Sequence, residues 1–147
     1  MIIVPEFVIL HHSLTKDGIT VSWGAIRDWH TGIHPDSPLD YDDIGYQFGI
    51  ELINKAYEIL VGRMMDQHGA HCYQEGMNKR SIGICFVGNF DIKPPNQEMW
   101  DKGLNLVRSL MRVFNIPEEN IRGHRDYATY KTCPGAKFDL NLFRSEL

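Results

Sequence analysis

Two stretches of this chain carry residue types that do chemistry. Residues 123–135 read Gly-His-Arg-Asp-Tyr-Ala-Thr-Tyr-Lys-Thr-Cys-Pro-Gly, so His124, Lys131 and Cys133 stand in one turn-rich run. Neutral imidazole and thiolate are preferred zinc ligands, and a catalytic zinc takes three protein ligands and leaves one position for water. A third ligand would have to come from far away in sequence. The apolar run Phe7-Val-Ile-Leu10 supplies it, because it ends in His11 and His12. This pattern points to two ends of the chain meeting around one metal, with the residues between them building a scaffold and a groove. Other chemistry fits parts of the same set. Strand-end histidines are often simple surface groups. Cys133 with His124 as base would make a cysteine hydrolase, although Pro134-Gly135 does not look like the helix start that activates such a thiol.

The elements that must hold these residues can be read from periodicity. Residues 6–11 form a nearly continuous apolar run with β-branched content, the pattern of a strand buried on both faces, and the histidines sit at its C-terminal end. Open α/β sheets bind ligands at that end. Ser22 is an N-cap for a helix from Trp23, with Trp23, Ile26, His30 and Ile33 on or near one face and Gly32 as its stop. Residues 34–43 are loop by their prolines and aspartates. Tyr46–Ile53 and Ala56–Val61 read as strands joined in a hairpin at Asn54-Lys55. Residues 62–80 lack a period and predict a long functional loop. Ser81–Gly88 is a further buried strand. Asn96 caps a long helix with Trp100, Leu104, Val107, Met111 and Phe114 at helical spacing, ended by Asn115 and Pro117. Residues 121–124 are a short strand or bend, and Asp139 caps a last helix from Leu140 to Phe143. The whole predicts one α/β domain over residues 1–147, with a central mixed β-sheet flanked by helices.

Composition narrows the function classes. The chain has 147 residues, 43% hydrophobic and 23% charged, with a net charge of −4. That is an ordinary soluble globular composition. It carries no basic footprint for nucleic acid or an acidic membrane surface, so neither nucleic acid nor membrane insertion is expected. Its apolar runs are strand-sized, far below the ~20 residues of a bilayer span. The first residues lack a basic n-region and a small-residue cleavage site, so they do not read as a signal peptide. Three cysteines, Cys72, Cys85 and Cys133, are too few and odd in number for a disulfide scaffold. Cys85 reads as a small core residue, and Cys72, next to His71, as inert or ligand-contacting.

In order along the chain stand Val8-Ile-Leu-His-His-Ser13, Ile26-Arg-Asp-Trp-His30, Ile44-Gly-Tyr-Gln-Phe48, Gly62-Arg63, Ser81-Ile-Gly-Ile-Cys-Phe-Val-Gly-Asn-Phe90, Gly123-His-Arg-Asp126 and Lys131-Thr-Cys-Pro-Gly135. This set resembles the zinc-dependent N-acetylmuramoyl-L-alanine amidases shared by small phage endolysins and peptidoglycan recognition proteins. The resemblance implies a peptidoglycan recognition protein/amidase-like fold and Zn2+ held by His11, His124 and Cys133. His12 fills the neighbouring position, which need not be a ligand. Tyr46 and Lys131 match the two non-ligand positions that assist catalysis. His71 and Asn78 match positions near the substrate groove. The implied reaction is hydrolysis of the amide between N-acetylmuramic acid and L-alanine in bacterial peptidoglycan, by a monomer synthesised in the cytoplasm and reaching the wall after membrane breach or export. The alternative within the family is a non-catalytic peptidoglycan recognition module, but modules of that kind are thought to lack the cysteine. His30, His34 and His68 read as surface or helix-packing residues, and Trp29 as either core or groove lining.

Overall fold

The computed structural model describes residues 2–15 and 21–147. Five strands form one sheet: β1 Phe7–His12, β2 Phe48–Ile53, β3 Ala56–Val61, β4 Ser81–Phe86 and β5 Ile121–Gly123. Their order across the sheet is β3-β2-β4-β1-β5. β1 runs parallel to both β4 and β5, and β2 parallel to β4, while β2 and β3 form an antiparallel hairpin. The sheet is therefore mixed. The hairpin turns at Asn54 and Lys55, both left-handed, with φ of 49° and 72°, the backbone that a two-residue turn between right-twisted strands demands.

Alternation along β1 divides its side chains between two layers. Val8 and Leu10 belong to the main core with Ile82, Ile84 and Phe86 of β4, and this face packs on helix α2, Gln97–Phe114, and helix α3, Leu140–Ser145. α2 begins where Asn96 accepts a hydrogen bond from the Met99 amide and stops at left-handed Asn115. It buries Trp100, Leu104, Val107 and Leu110 on the sheet. Ile9 points the other way, into a small cluster with Cys72 and Met77 of the long 62–80 segment, where the turns of Gln74–Lys79 are kinked at left-handed Glu75 and Gly76. Helix α1, Trp23–His30, is capped by the Ser22 hydroxyl on the Ala25 amide and lies on this second face, where Ile26 packs with Ile44 and Val87. Helical spacing places Ile33 on or near the same face as Trp23, Ile26 and His30. It is instead exposed, because the helix ends at His30 and left-handed Gly32 turns the chain away. Among the described residues no helix is long and apolar enough to cross a membrane.

Candidate metal centre

The period of two in β1 separates its neighbouring histidines. His11 follows Ile9 onto the second face, and His12 follows Leu10 onto the core face. There His12 stacks on Phe90, and its Nδ1 accepts from the Phe90 amide at 3.1 Å. His11 thus turns toward residues 123–135.

That segment is folded tightly on itself. The Gly123 amide donates to the Asp126 carboxylate at 2.9 Å, so the chain turns sharply after β5 and presents His124. The Arg125 amide donates to the Cys133 carbonyl at 2.8 Å, and its guanidinium reaches the carbonyls of Thr132, Gly135 and Phe138. Asp91 holds the far side by accepting from the Thr132 hydroxyl and the Ala136 amide. At Gly135, φ is 128° and a Cβ would fall 2.5 Å from the Phe90 backbone, so a side chain would force the loop away. Each of these bonds brings Cys133 back beside His124.

Ligand atoms of His11, His124 and Cys133 lie within 4.8 Å of one another. His11 Nδ1 faces the Cys133 sulfur at 3.6 Å. The three line the floor of an open cavity of about 450 Å³, together with His30, Tyr41, Tyr46, His71, Tyr130 and Lys131. The histidines are held neutral. Burial pushes His11 well below the usual histidine value, and it pushes His124 down to about 4, with the nearby Lys131 charge acting in the same direction on both. Burial raises the Cys133 thiol to about 11, opposed by the His12 backbone amide and by Lys131 and Arg125. Two neutral imidazoles and a thiol under cationic influence are donors of the kind that could hold a metal ion such as zinc, which would itself deprotonate the thiol.

Tyr46 stands beside His11, with ring centroids 5.1 Å apart. Burial holds its phenol well above the usual tyrosine range, with the thiols of Cys85 and Cys133 adding to the effect. Cys85 is fully buried as expected. It nevertheless faces the site layer, paired with His11 across the strands and near enough to Tyr46 to help raise its phenol. Tyr46 is placed by Arg63, whose buried guanidinium donates to the carbonyls of Ile44, Asp43 and His68 and to exposed Asp42. Lys131 is exposed on the rim. His71 is buried beside His11, and the Asn78 Oδ1 accepts from the amides of His71 and Cys72 at 2.8 and 2.7 Å. His71 and Asn78 also line the groove where it continues past Lys131 toward Tyr73 and Gln74.

His30 does more than the sequence suggested. It lines the cavity, its Nδ1 accepts from the Gly45 amide at 2.9 Å, and burial lowers it to about 4. Trp29 lines an adjoining cavity with Val21, Ile26 and Tyr46. Tyr41 and Tyr130, which no sequence signal marked, complete the walls.

Known proteins share this arrangement of elements. Residues 3–136 match the model of the N-acetylmuramoyl-L-alanine amidase family. Peptidoglycan-recognition protein 2 of Holotrichia diomphalia is 34% identical over 118 residues, which cover 77% of this chain and 58% of that protein. The chain thus spans little more than half the length of that relative. The endolysin of Klebsiella phage KP32 is 30% identical over 136 residues, covering 90% of this chain and 81% of the endolysin. Among solved structures, the endolysin N-acetylmuramoyl-L-alanine amidase LysCS from Clostridium intestinale superposes with a TM-score of 0.79 at 25% identity, over 98% of this chain and 84% of that one. Drosophila PGRP-LB superposes with a TM-score of 0.74 at 26% identity, over 97% of this chain and 81% of that one. The chain belongs to the N-acetylmuramoyl-L-alanine amidase family.

Proposed function

We propose that this amidase is a zinc enzyme of the lytic, endolysin type, hydrolysing the amide between the lactyl group of N-acetylmuramic acid and L-alanine in bacterial peptidoglycan. The observation that carries the zinc reading is the convergence of His11, His124 and Cys133 to within 4.8 Å at the floor of an open groove. A zinc ion bound by these three side chains supplies Lewis acidity and a water whose pKa falls toward ~7.

The chain's own residues do the rest. Tyr46, with its phenol held well above the usual range, stays protonated at neutral pH. It therefore acts as a hydrogen-bond donor to the reacting carbonyl oxygen or water, and not as a base. Lys131 brings positive charge to the groove rim, where its field already depresses His11 and His124. That charge stabilises the oxyanion that develops as water attacks the amide. His71 and Asn78 shape the adjoining groove, where the stem peptide lies. The cell wall is the site of action, reached after membrane breach or export, and the consequence is bacteriolysis.

A cysteine nucleophile fits less well. A thiol raised to about 11 gives almost no thiolate at neutral pH. A purely recognising module would have no use for a half-buried thiol gathered with two neutral imidazoles to within 4.8 Å. The test is digestion of purified peptidoglycan. The zinc amidase releases new N-terminal alanine amines without new reducing sugar ends, stops with chelator and resumes with zinc. Tight binding without release would make the chain a recognition module, and release that survives complete metal removal would overturn the zinc mechanism.

A further inference from the structure

His71 does more than line the groove. Its Nδ1 lies 3.0 Å from His11 Nε2, in a buried hydrogen bond between residues sixty positions apart. The two rings meet edge to face, with centroids 5.0 Å apart. His71 occupies a slot that exists only because two residues lack side chains. A Cβ on Gly69 would stand 2.3 Å from the His71 ring, and one on Gly83 would stand 2.6 Å from it. The slot is braced on both sides. Asn78 pins the backbone of residues 71–72, and the Gln47 Oε1 accepts the Gly83 amide at 2.7 Å. Four residues of three separate elements are committed to holding one imidazole against another.

The direction of that bond decides what His11 can do. A neutral imidazole has one N–H and one lone pair. If His71 donated, His11 would carry its proton on Nδ1, the nitrogen facing Cys133, and could not ligate there. If His11 donates from Nε2, its Nδ1 lone pair points to Cys133, and His71 carries its own proton on Nε2. That second nitrogen is buried with no partner within hydrogen-bond distance. His11 Nδ1 is the nitrogen that faces the Cys133 sulfur, at 3.6 Å, so a metal held between these two side chains takes the Nδ1 lone pair, and this selects the second arrangement. Metal-bound histidines commonly donate their other N–H to a fixed acceptor, which sets tautomer and ring orientation.

We infer that His71 is a positioning residue, a buried neutral imidazole that accepts the His11 Nε2–H and so presents the His11 Nδ1 lone pair to the metal. The inference rests on the zinc reading above. Its test is metal affinity, which does not depend on turnover. Metal-depleted wild-type, His71→Phe and His71→Gln proteins are titrated with zinc against a chromophoric chelator, and with Co(II) to follow thiolate-to-metal and d–d bands. Phe fills the slot without an acceptor, and Gln restores an amide oxygen. Wild type binds one zinc per chain, His71→Phe binds about 10–100-fold more weakly with altered Co(II) bands, and His71→Gln recovers most of the loss. His71→Phe with wild-type affinity and spectrum would overturn the positioning role while leaving the zinc reading intact. A wild-type protein without stoichiometric zinc, or His11→Ala with unchanged affinity, would overturn both. Should His71→Phe fail to fold, the nitrogen-15 shifts of the wild-type rings decide. His11 protonated on Nε2 in the metal-free protein supports the inference, and His11 protonated on Nδ1 overturns it.

Discussion

Removing the metal should leave a protein that acid unfolds unusually early. His71 is lowered to about 3, and His30 and His124 to about 4, in each case chiefly by burial, while His11 and His12 are lowered in the same direction. A histidine whose folded pKa lies below its unfolded 6.5 contributes stability that is complete above pH 6.5. That stability is lost as pH falls toward the folded value, because only the unfolded chain takes up the proton. Each such group contributes a slope of about 1.4 kcal/mol per pH unit in that window. Counting His71 in full, and halving His30 and His124 because solvent still screens them, gives a loss of about 5 kcal/mol between pH 6.5 and 4.5. That is comparable to the whole stability of an ordinary domain, about 5–15 kcal/mol. Urea unfolding of chelator-treated protein, followed by tryptophan fluorescence at half-unit steps of pH, measures it. The denaturation midpoint should slide steadily downward below pH 6.5, and zinc should restore it at pH 7 far more than at pH 5, where protons compete for the ligands. A midpoint that stayed constant from pH 7 to pH 5 would refute the claim that these imidazoles are buried neutral.

Three substitutions probe the supports of the site. Tyr46→Phe removes the donor and keeps the ring, so kcat on peptidoglycan should fall about 100–1,000-fold while zinc content stays at one per chain; an unchanged rate would remove Tyr46 from the chemistry. Arg63→Met strips the donor from three backbone carbonyls around Ile44. It should cost about 2–4 kcal/mol in urea unfolding, nearly none of it from the exposed Asp42 pair. Asn96→Ala removes both the cap on Met99 and the bond to the Tyr57 hydroxyl, for a loss of about 1–2 kcal/mol.

Much of the scaffold was legible because local rules and the fold agree. Ser22, Asn96 and Asp139 all cap the helices expected of them, and Asn54-Lys55 makes the hairpin turn. The β1 strand ends at the histidine pair as its apolar run implied. What periodicity alone left open was which histidine faces the site. β1 is buried on both faces, so its apolar residues do not say which layer is core and which is groove. Cys85 shows the same limit, since a small residue in an all-apolar strand reads as core whether it meets a helix or Tyr46. The path of residues 62–80 was hidden for a different reason. Polar side chains hold it: Arg63 and Gln47 donate to the carbonyls of Ile44 and Gln67 across the fold, and Asn78 accepts the amides of His71 and Cys72 within the segment; no spacing rule pairs a side chain with a distant backbone group. His30 was hidden likewise, because only tertiary contact brings the end of α1 over Gly45.

The measurement that tests the central claim most directly is anomalous diffraction at the zinc edge from crystals grown with zinc. One peak should appear about 2.0–2.1 Å from a nitrogen of His11 and of His124 and about 2.3 Å from the Cys133 sulfur, with a fourth position open toward Tyr46 and Lys131. No peak among these three side chains, or a peak bound instead through His12, would contradict the account.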